Sequence, residues 1–317
     1  MMYDLIIIGG GPAGCAAGVY AARKKLKTLL MTETFGGQSI VSDDIQNWVG
    51  AKSISGFDLA KNLEEHVRAQ EGIDIKVSEK GVSVKEVEGG FEVASDKGVA
   101  YQTRTVLVVS GGRRRKLGVP GEEKFNGKGV AYCSTCDAPL FKGKAVAVIG
   151  GGNAGLEAAV DLLPYAAKIY ILEFGPAFKG DPVTQEELRK SPLVTMITNA
   201  QTKEVVGDKF VSGLAYLDRV TNEERKLEVG GVFVEIGSLP NSEMVKGLVN
   251  MNKFGEIVVD HKHASTSKPG IWAAGDVTDD PYKQNNISAG DAVKAVLSIY
   301  AYLQKREKQS SHAEPAS

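Results

Sequence analysis

The stretch that decides the fold is residues 3–24, "YDLIIIGGGPAGCAAGVYAARK". Its first six residues form an apolar run of strand length, and its last ten form a run of mostly small residues that is typical of a closely packed helix. Between them stands Gly9-Gly10-Gly11-Pro12-Ala13-Gly14, a G-x-G-x-x-G turn. In this pattern the glycines permit a tight turn, the approach of a pyrophosphate, and close helix–strand packing. The order strand, turn, helix therefore predicts a dinucleotide site at a helix N-terminus.

A second apolar strand, "LKTLLM", follows this helix, and Glu33 stands just beyond it. An acidic residue about 20 residues after the glycines is placed to accept a hydrogen bond from a ribose hydroxyl. The predicted contacts of the first dinucleotide are Gly9, Gly11, Pro12, Ala13, Gly14 and Glu33.

The whole arrangement returns from residue 144 onward. A strand "KAVAVI" leads into Gly150-Gly151-Gly152-Asn153-Ala154-Gly155, a helix opens with "LEAAVDLL", and the next strand "KIYIL" ends before Glu173. One such motif is a weak signal, whereas two in the same context make a strong one. Short alternating runs after each motif predict antiparallel strands. The fold class is therefore α/β, with two dinucleotide-binding, Rossmann-like domains that each carry an antiparallel β insertion.

The two copies are divided by turn residues near Pro120 and Pro240. A third segment, "PGIWAAGDV" followed by a long helix, has to complete the first copy. We therefore expect a discontinuous first domain from residues 1–114 and 245–317, and a second domain from residues 115–244. The polar tail "REKQSSHAEPAS" predicts disorder.

Composition excludes several classes of protein. The formal net charge of the 317-residue chain is -1, so no overall field favours nucleic acid or an anionic membrane. Three cysteines are too few for a disulfide-rich secreted scaffold. The N-terminal apolar run lacks the basic region of a signal peptide. These features predict a reducing, cytoplasmic location.

Two of the cysteines form the motif Cys133-Ser134-Thr135-Cys136, with Asp137 directly behind. The spacing alone is compatible with half a zinc site, a structural disulfide or a redox pair. A structural zinc site needs four ligands, and no second pair is present, so no metal is predicted. A reducing compartment disfavours a structural disulfide, which leaves the redox pair. We interpret Cys15 as a small core residue.

The chain resembles the low-molecular-weight thioredoxin reductase family over almost its whole length. The resemblance is carried by "GGGPAG", "FGGQ", "IQNWVG", "VPGE", "CSTCD", "GGGNAG", "AAGDV" and "YKQ...SAGDA". It implies FAD in the first domain and a nicotinamide dinucleotide in the second, in a pyridine nucleotide-disulfide oxidoreductase architecture. The implied flavin-lining positions are Gly37, Gln38, Asn47, Gly275, Asp276, Lys283, Gln284 and Asn285.

The same resemblance assigns the catalytic roles. Cys136 is then the thiol that faces the flavin, Cys133 attacks the disulfide of a partner, and Asp137 exchanges protons, although it also suits a turn cap. The implied reaction passes electrons from NADH or NADPH through FAD to a thioredoxin- or glutaredoxin-like protein, for example one that feeds a peroxiredoxin. The family is typically homodimeric, and its nucleotide domain rotates about the two joints.

A closer likeness is to the C-terminal part of the flavoprotein subunits of alkyl hydroperoxide reductases. It is carried by "YCSTCDAPLFKGKAVAVIGGGNAGLEAAVDL" and "ILEFGPAFKGD". Those subunits carry fused N-terminal thioredoxin-like domains, whereas this sequence begins at the first dinucleotide strand. We therefore expect the disulfide relay to be a separate protein.

The segment after the second acidic strand indicates which nicotinamide is used. Residues 173–179 contain no arginine, the usual clamp for a 2′-phosphate. A carboxylate at Glu173 favours a free 2′-hydroxyl, so NADH is expected over NADPH, although Lys179 is near enough in sequence to reach a phosphate. The predicted nucleotide contacts are Gly150, Gly152, Asn153, Ala154, Gly155 and Glu173.

Other functions fit part of the pattern. One alternative is a flavin-dependent NADH oxidase or a ferredoxin-linked reductase with a degenerate nicotinamide site. Another is a non-enzymatic flavin-based redox sensor. The basic run from Arg113 to Lys116 is either a solvated turn or a guide for an acidic partner.

Overall fold

The computed structural model describes residues 2–42 and 44–313, and the side chains of those residues up to Gln309. It divides the chain into two compact units. Unit 1 comprises Met1–Arg113 and Leu239–Ser317, and unit 2 comprises Arg114–Ser238. The second boundary falls between Ser238 and Leu239, before the expected position after residue 244, because Asn241 already hydrogen-bonds Ser110 of unit 1.

The elements are α/β, as predicted. The strands are β1 (Met2–Ile8), β2 (Thr28–Thr32), β3 (Ile73–Val77), β4 (Gly81–Val87), β5 (Gly90–Ser95), β6 (Ala100–Val108), β7 (Gly112–Arg114), β8 (Val130–Ala131), β9 (Ala145–Ile149), β10 (Lys168–Leu172), β11 (Val194–Ile197), β12 (Ala200–Gly207), β13 (Val211–Asp218), β14 (Glu223–Leu227), β15 (Gly231–Val234), β16 (Ser238–Pro240) and β17 (Ile271–Ala273). The helices are α1 (Pro12–Arg23), α2 (Gly56–Arg68), α3 (Ser134–Asp137), α4 (Asn153–Leu162), α5 (Pro182–Lys190) and α6 (Asn285–Ala313).

Unit 1 is built on one mixed sheet in the order β3-β2-β1-β6-β5-β4, with β17 also paired to β6. β6 joins its two parts: Val108 pairs parallel to Ile8, while Thr103 pairs antiparallel to Phe91. Both faces of the parallel strands are apolar, as expected for a sheet covered on both sides. α1 and α6 lie against one of these faces and share its core.

Unit 2 separates the same parts into two sheets. Its parallel sheet has the order β11-β10-β9-β15-β8, and β12-β13-β14 form a second, antiparallel sheet. The chain leaves β14 at Leu227 and enters β15 at Gly231, where a Cβ would lie 2.3 Å from the Phe141 ring. This close approach of an aromatic side chain explains a glycine at the break between the two sheets.

The connections between the units are short strands. β7 and β16 pair as a two-stranded sheet, so Pro240 lies in a connection. Pro120 was expected at the other joint and does not lie there. It belongs to unit 2, where its carbonyl accepts the Val205 N–H at 3.0 Å.

The C-terminal tail differs from its prediction. α6 continues to Ala313, so the disorder predicted for the tail is wrong for residues 306–313, and residues 314–317 lie outside the described part. Glu307 pairs with Arg104 at 2.8 Å, which holds the last turns against unit 1. Among the helices of the described ranges, none is both long and apolar enough to cross a membrane.

Candidate functional site

The first glycine turn leaves no room for side chains at its two ends. Gly9 has φ +126°, and a Cβ there would lie 2.3 Å from the Val109 carbonyl oxygen. A Cβ on Gly14 would lie 1.9 Å from the carbonyl oxygen of Gly9. Between them, Gly11 is the N-cap of α1 and provides no side-chain cap. The first N–H groups of α1 are therefore available to an anion.

Pro12 and Ala13 complete the first turn of α1. Pro12 occupies the first helical position, where its missing N–H costs nothing. Both residues are buried, and Ala13 lies in the main core cluster of unit 1.

The second glycine turn repeats this geometry in unit 2. Gly150 has φ +128°, and a Cβ on Gly155 would lie 1.9 Å from the Gly150 carbonyl oxygen. Gly152 is the uncapped N-cap of α4, and no heavy atom lies within 4 Å of its hypothetical Cβ. Asn153 Oδ1 accepts the Asp181 N–H at 2.8 Å, which ties the turn to the start of α5, and Ala154 follows within α4.

The acidic positions beside the two turns are not equivalent. Gly9 N–H donates to Met31 and Gly150 N–H donates to Leu172, each at 2.9 Å. These matching contacts align Glu173 with Thr32 rather than with Glu33. Glu33 lies one residue further on, is exposed and pairs with Lys80 at 2.6 Å.

The Glu173 carboxylate is held by two backbone donors. Its Oε2 accepts the Gly151 N–H at 2.8 Å and its Oε1 accepts the Gly175 N–H at 2.7 Å. Each oxygen retains a second lone pair, so a ribose hydroxyl remains a compatible partner. The carboxylate is therefore oriented by the turn itself.

Two distant segments of unit 1 converge through side-chain hydrogen bonds. Gln38 Nε2 donates to Asp276 Oδ2 at 3.4 Å, and Asn47 Nδ2 donates to Gln284 Oε1 at 3.3 Å. Asn285 also hydrogen-bonds the Ser39 hydroxyl. The structure thus brings together amides and a carboxylate that the sequence places more than 200 residues apart.

The glycines of these segments place them beside α1. A Cβ on Gly37 would lie 3.3 Å from the Cα of Gly11, and one on Gly275 would lie 3.6 Å from the Cβ of Ala13. Lys283 Nζ forms an ion pair with Glu256 at 3.1 Å. Lys283 Nζ also donates to the Asp276 carbonyl at 3.4 Å. All the predicted flavin-lining positions except Asn285, whose partner is Ser39, therefore connect to α1 or to one another.

The cysteine pair lies in unit 2 with the second glycine turn. Cys133 and Cys136 form a disulfide with a Cα–Cα distance of 5.3 Å. Cys133 is the N-cap of α3, which follows edge strand β8. Ser134 Oγ donates to Asp161 Oδ2 at 2.8 Å, so a hydroxyl between the cysteines anchors the segment to α4.

Asp137 follows the disulfide and is partly buried. Burial raises the pKa of its carboxyl to about 6. A carboxyl with this pKa exchanges a proton readily near neutral pH. Cys15 is different: it is 1% exposed, and burial raises the pKa of its thiol to about 12, as expected for a core residue.

A buried carboxylate that sequence reasoning missed supports the approach to the disulfide. Glu122 is 1% exposed and accepts hydrogen bonds from the Leu117 N–H, the Gly118 N–H and the Tyr132 hydroxyl, at 2.8, 2.8 and 2.9 Å. Tyr132 directly precedes the first cysteine. The local sequence "GEE" gives no sign that one of its two acids is buried.

Charged side chains bear on two predictions from the sequence: that residues 173–179 have no arginine beside a nucleotide, and that the basic run 113–116 is a solvated turn or a guide for a partner. Arg219 stacks 4.0 Å from the Phe174 ring and donates to the Phe174 carbonyl at 2.9 Å, which brings an arginine to a segment that contains none. Arg113 pairs with Glu243 at 2.7 Å, and Lys116 pairs with Glu123. The ends of the basic run are thus neutralised within the protein.

The described residues contain no group of three or more His, Cys, Asp or Glu suited to a metal ion.

Comparisons with known proteins agree with this geometry. A family model described as pyridine nucleotide-disulphide oxidoreductase matches residues 3–296. The chain is 46% identical over 301 residues to a Bacillus subtilis protein named NADH dehydrogenase, covering 95% of this chain and 58% of that protein. It is 46% identical over 304 residues to a Pseudomonas putida protein named as an alkyl hydroperoxide reductase subunit, again covering 95% and 58%. The chain thus spans little more than half the length of these curated relatives.

One solved structure matches nearly the full length of both chains, unlike the curated relatives. The crystal structure of thioredoxin reductase from Streptococcus pyogenes MGAS5005 superposes with a TM-score of 0.90 at 32% identity. The match covers 96% of this chain and 99% of that one.

Proposed function

The chain belongs to the pyridine nucleotide-disulphide oxidoreductase family, and on this premise we propose that it is an FAD-dependent disulfide reductase. The observation that carries the proposal is the Cys133–Cys136 disulfide, followed by Asp137, in the same unit as the second glycine turn. A redox-active disulfide next to a nucleotide fold has a ready electron source. The proposed substrate is the disulfide of a separate protein.

The residues of unit 1 fit FAD. The uncapped start of α1 beside Gly11 suits a pyrophosphate, and Gln38, Asn47 and Asp276 offer donors and acceptors to a ribityl chain or a flavin ring. FAD, when bound, would accept a hydride from a nicotinamide and supply two electrons to the disulfide. Glu33 is an exposed candidate for the adenosine end.

The protein residues then manage thiols and protons. Two electrons and two protons reduce the disulfide: one proton forms the Cys136 thiol, and Asp137 holds the other on its carboxyl group, which leaves Cys133 as a thiolate. The Cys133 thiolate attacks the partner's disulfide, forming a mixed disulfide and releasing one partner thiol. The Cys136 thiolate then displaces the second partner thiol and restores the Cys133–Cys136 bond.

The nicotinamide is proposed to be NADH. The Glu173 carboxylate, held by the Gly151 and Gly175 N–H groups, accepts a 2′-hydroxyl and repels a 2′-phosphate. Arg219 lies against this segment, and its guanidinium is engaged with the ring and carbonyl of Phe174. Comparing kcat/KM for the two nucleotides tests this preference; better use of NADPH contradicts it.

The partner is proposed to be a thioredoxin- or glutaredoxin-like protein, for example one that feeds a peroxiredoxin. This extends to the chain what the names of its relatives imply. A homodimer in a reducing cytoplasm completes the proposal. Size-exclusion chromatography with light scattering measures the oligomeric state, and a monomer contradicts the dimer.

A second candidate is direct oxidation of NADH without the disulfide, because a relative of equal identity is named NADH dehydrogenase. The purified flavoprotein is given NADH, and reduction of dithionitrobenzoate and of a candidate thioredoxin is followed together with oxygen consumption. The same assays on Cys136→Ser separate the candidates. Lost disulfide reduction supports the reductase, whereas unchanged turnover supports the second candidate.

A further inference from the structure

The residue that follows the strand paired with the glycine-turn strand differs between the two units: it is Val109 after β6 in unit 1 and Glu235 after β15 in unit 2. Glu235 N–H donates to the last carbonyl of β9 at 2.8 Å, and a Cβ on Gly150 would lie 2.3 Å from the Glu235 carbonyl oxygen. Val109 makes the same contacts in unit 1, at 3.0 Å to β1 and 2.3 Å from a Cβ on Gly9. The two positions are therefore equivalent, and a buried apolar side chain in one unit is replaced by a carboxylate in the other.

Strand register places Glu235 beside the cysteine segment. β15 pairs parallel with β8, with Phe233 opposite Ala131. Glu235 and Cys133 each come two residues after this pair, so they stand at the same end of neighbouring strands.

Burial raises the pKa of the Glu235 carboxyl to about 7, and the negative charges of Asp161 and Asp137 also raise it. The positive charge of Arg114 and the Ser134 N–H lower the same pKa. These groups come from β7, α4 and α3, which are the elements around the carboxyl. Ser134 directly follows the first cysteine and is also bound by Asp161 at 2.8 Å.

We propose that Glu235 is a positioning residue for the disulfide, which links the second glycine turn to residues 133–136 and places a titratable charge beside them. Its backbone packs on the turn through Gly150, and the register of β15 against β8 places it beside the residues that follow Ala131. The inference rests on the proposed function only in giving the cysteines a redox role. No equivalent charge exists in unit 1, where Val109 occupies the position and no cysteine pair is present.

The charge has a definite effect on the reduced cysteines. A carboxylate close to a thiol disfavours the thiolate and raises the thiol pKa. Less thiolate slows attack on a partner, while a pair with disfavoured thiolates is a stronger reductant. Because Glu235 titrates near neutral pH, the reactivity of the pair is tuned within that range.

The test measures thiol reactivity directly. The full-length flavoprotein is reduced with excess dithiothreitol, transferred to anaerobic buffer, and alkylated with iodoacetamide between about pH 5 and about pH 9, where thiolates form. Mass spectrometry follows the peptide that contains Cys133 and Cys136. Glu235→Gln is expected to alkylate about three- to tenfold faster near neutral pH, since one pKa unit is tenfold in thiolate.

Two further variants keep the inference falsifiable. Glu204→Gln removes an exposed carboxylate on β12 of the same unit and should follow the unsubstituted protein. Glu235→Val installs the residue of unit 1 and should accelerate alkylation as Glu235→Gln does. If both Glu235 variants match the unsubstituted protein at every pH, or if Glu204→Gln accelerates alkylation equally, the inference is overturned.

The assay is independent of the proposed function. It uses a chemical reductant and needs neither nicotinamide nor a partner protein. A flavoprotein that fails to pass electrons from NADH to its disulfide contradicts the proposed function, while the alkylation profile still decides the role of Glu235.

Discussion

The two glycine turns have the same backbone geometry and different neighbours. Both begin with a glycine near φ +127° and both exclude a Cβ at the helix glycine, at 1.9 Å in each case. The residues that meet the turn differ: Thr32 and Val109 in unit 1 correspond to Glu173 and Glu235 in unit 2. The backbone geometry that suits a pyrophosphate is thus repeated, whereas these two positions carry carboxylates in unit 2 and uncharged side chains in unit 1.

The difference also extends to the antiparallel strands. In unit 1 they continue the main sheet through β6, which pairs with β1 along one edge and with β5 along the other. In unit 2 the break before Gly231 leaves them as a separate sheet. The same order of elements therefore gives either one sheet or two, according to whether one strand runs through without interruption.

The largest predicted effect tests whether the disulfide, found only in unit 2, carries the activity. Cys133→Ser or Cys136→Ser should lower NADH-dependent disulfide reduction at least about 10³-fold, because the exchange needs both thiols. Flavin content, measured by absorbance, should stay unchanged. Cys15→Ala is the control and should retain the rate; a similar loss there contradicts a specific role for the pair.

The next prediction applies one substitution to both turns. Gly155→Ala places a Cβ 1.9 Å from the Gly150 carbonyl oxygen and should lower flavin reduction by NADH about 100-fold while FAD is retained. Gly14→Ala creates the same clash with Gly9 and should instead release FAD. Stopped-flow absorbance and flavin content measure the two outcomes. Loss of FAD from Gly155→Ala alone contradicts the assignment of the turns.

A smaller effect is expected at Glu173, whose equivalent in unit 1 is Thr32. Glu173→Gln turns one acceptor into a donor that faces a backbone N–H, so the turn loses a hydrogen bond. KM for NADH should rise about tenfold with a smaller change in kcat. Steady-state kinetics with NADH and NADPH provide the measurement, and an unchanged KM contradicts a role in binding.

The next prediction concerns Asp137, the carboxyl beside the disulfide, and its effect on how stability depends on pH. Burial raises the pKa of Asp137 from 3.8 to about 6, so the folded state binds the proton more tightly than the unfolded state. Its contribution to stability is full below pH 3.8 and is lost as the pH rises through about 6. Asp137→Asn should reduce this loss in the free energy of unfolding by about 1 kcal/mol, a value that allows for solvent screening. Urea unfolding across this range measures it, and parallel curves contradict it.

The smallest predicted effect concerns Glu33, the acidic residue of unit 1. Its exposed ion pair with Lys80 contributes roughly 0–1 kcal/mol, and Glu33→Gln should change thermal stability accordingly little. Flavin affinity, measured by fluorescence titration, should fall by less than about tenfold because the side chain offers one hydrogen bond to a ribose. A larger loss of flavin affinity contradicts the expectation that Glu33 contributes one exposed hydrogen bond.

Much of the fold was readable from local sequence. The predicted α/β class is confirmed, as is the resemblance to thioredoxin reductases and alkyl hydroperoxide reductase flavoproteins. The positions of the joints were harder to predict from the sequence. Pro120 is a turn residue, but its carbonyl accepts a hydrogen bond from the Val205 N–H within unit 2. Turn residues indicate where a chain bends, whereas long-range contacts decide which unit they belong to.

The sequence by itself determined the two glycine turns, the cysteine pair and the order of strands and helices. These features depend on residue type at short spacing, since only glycine fits where a Cβ would lie about 2 Å from a carbonyl oxygen. Only the tertiary structure decided that Glu173 corresponds to Thr32 and that Glu235 stands beside the second turn, at the end of the strand that pairs with β8. Such relations depend on strand register and on burial, which bring together residues that are about 20 to 100 positions apart in the chain.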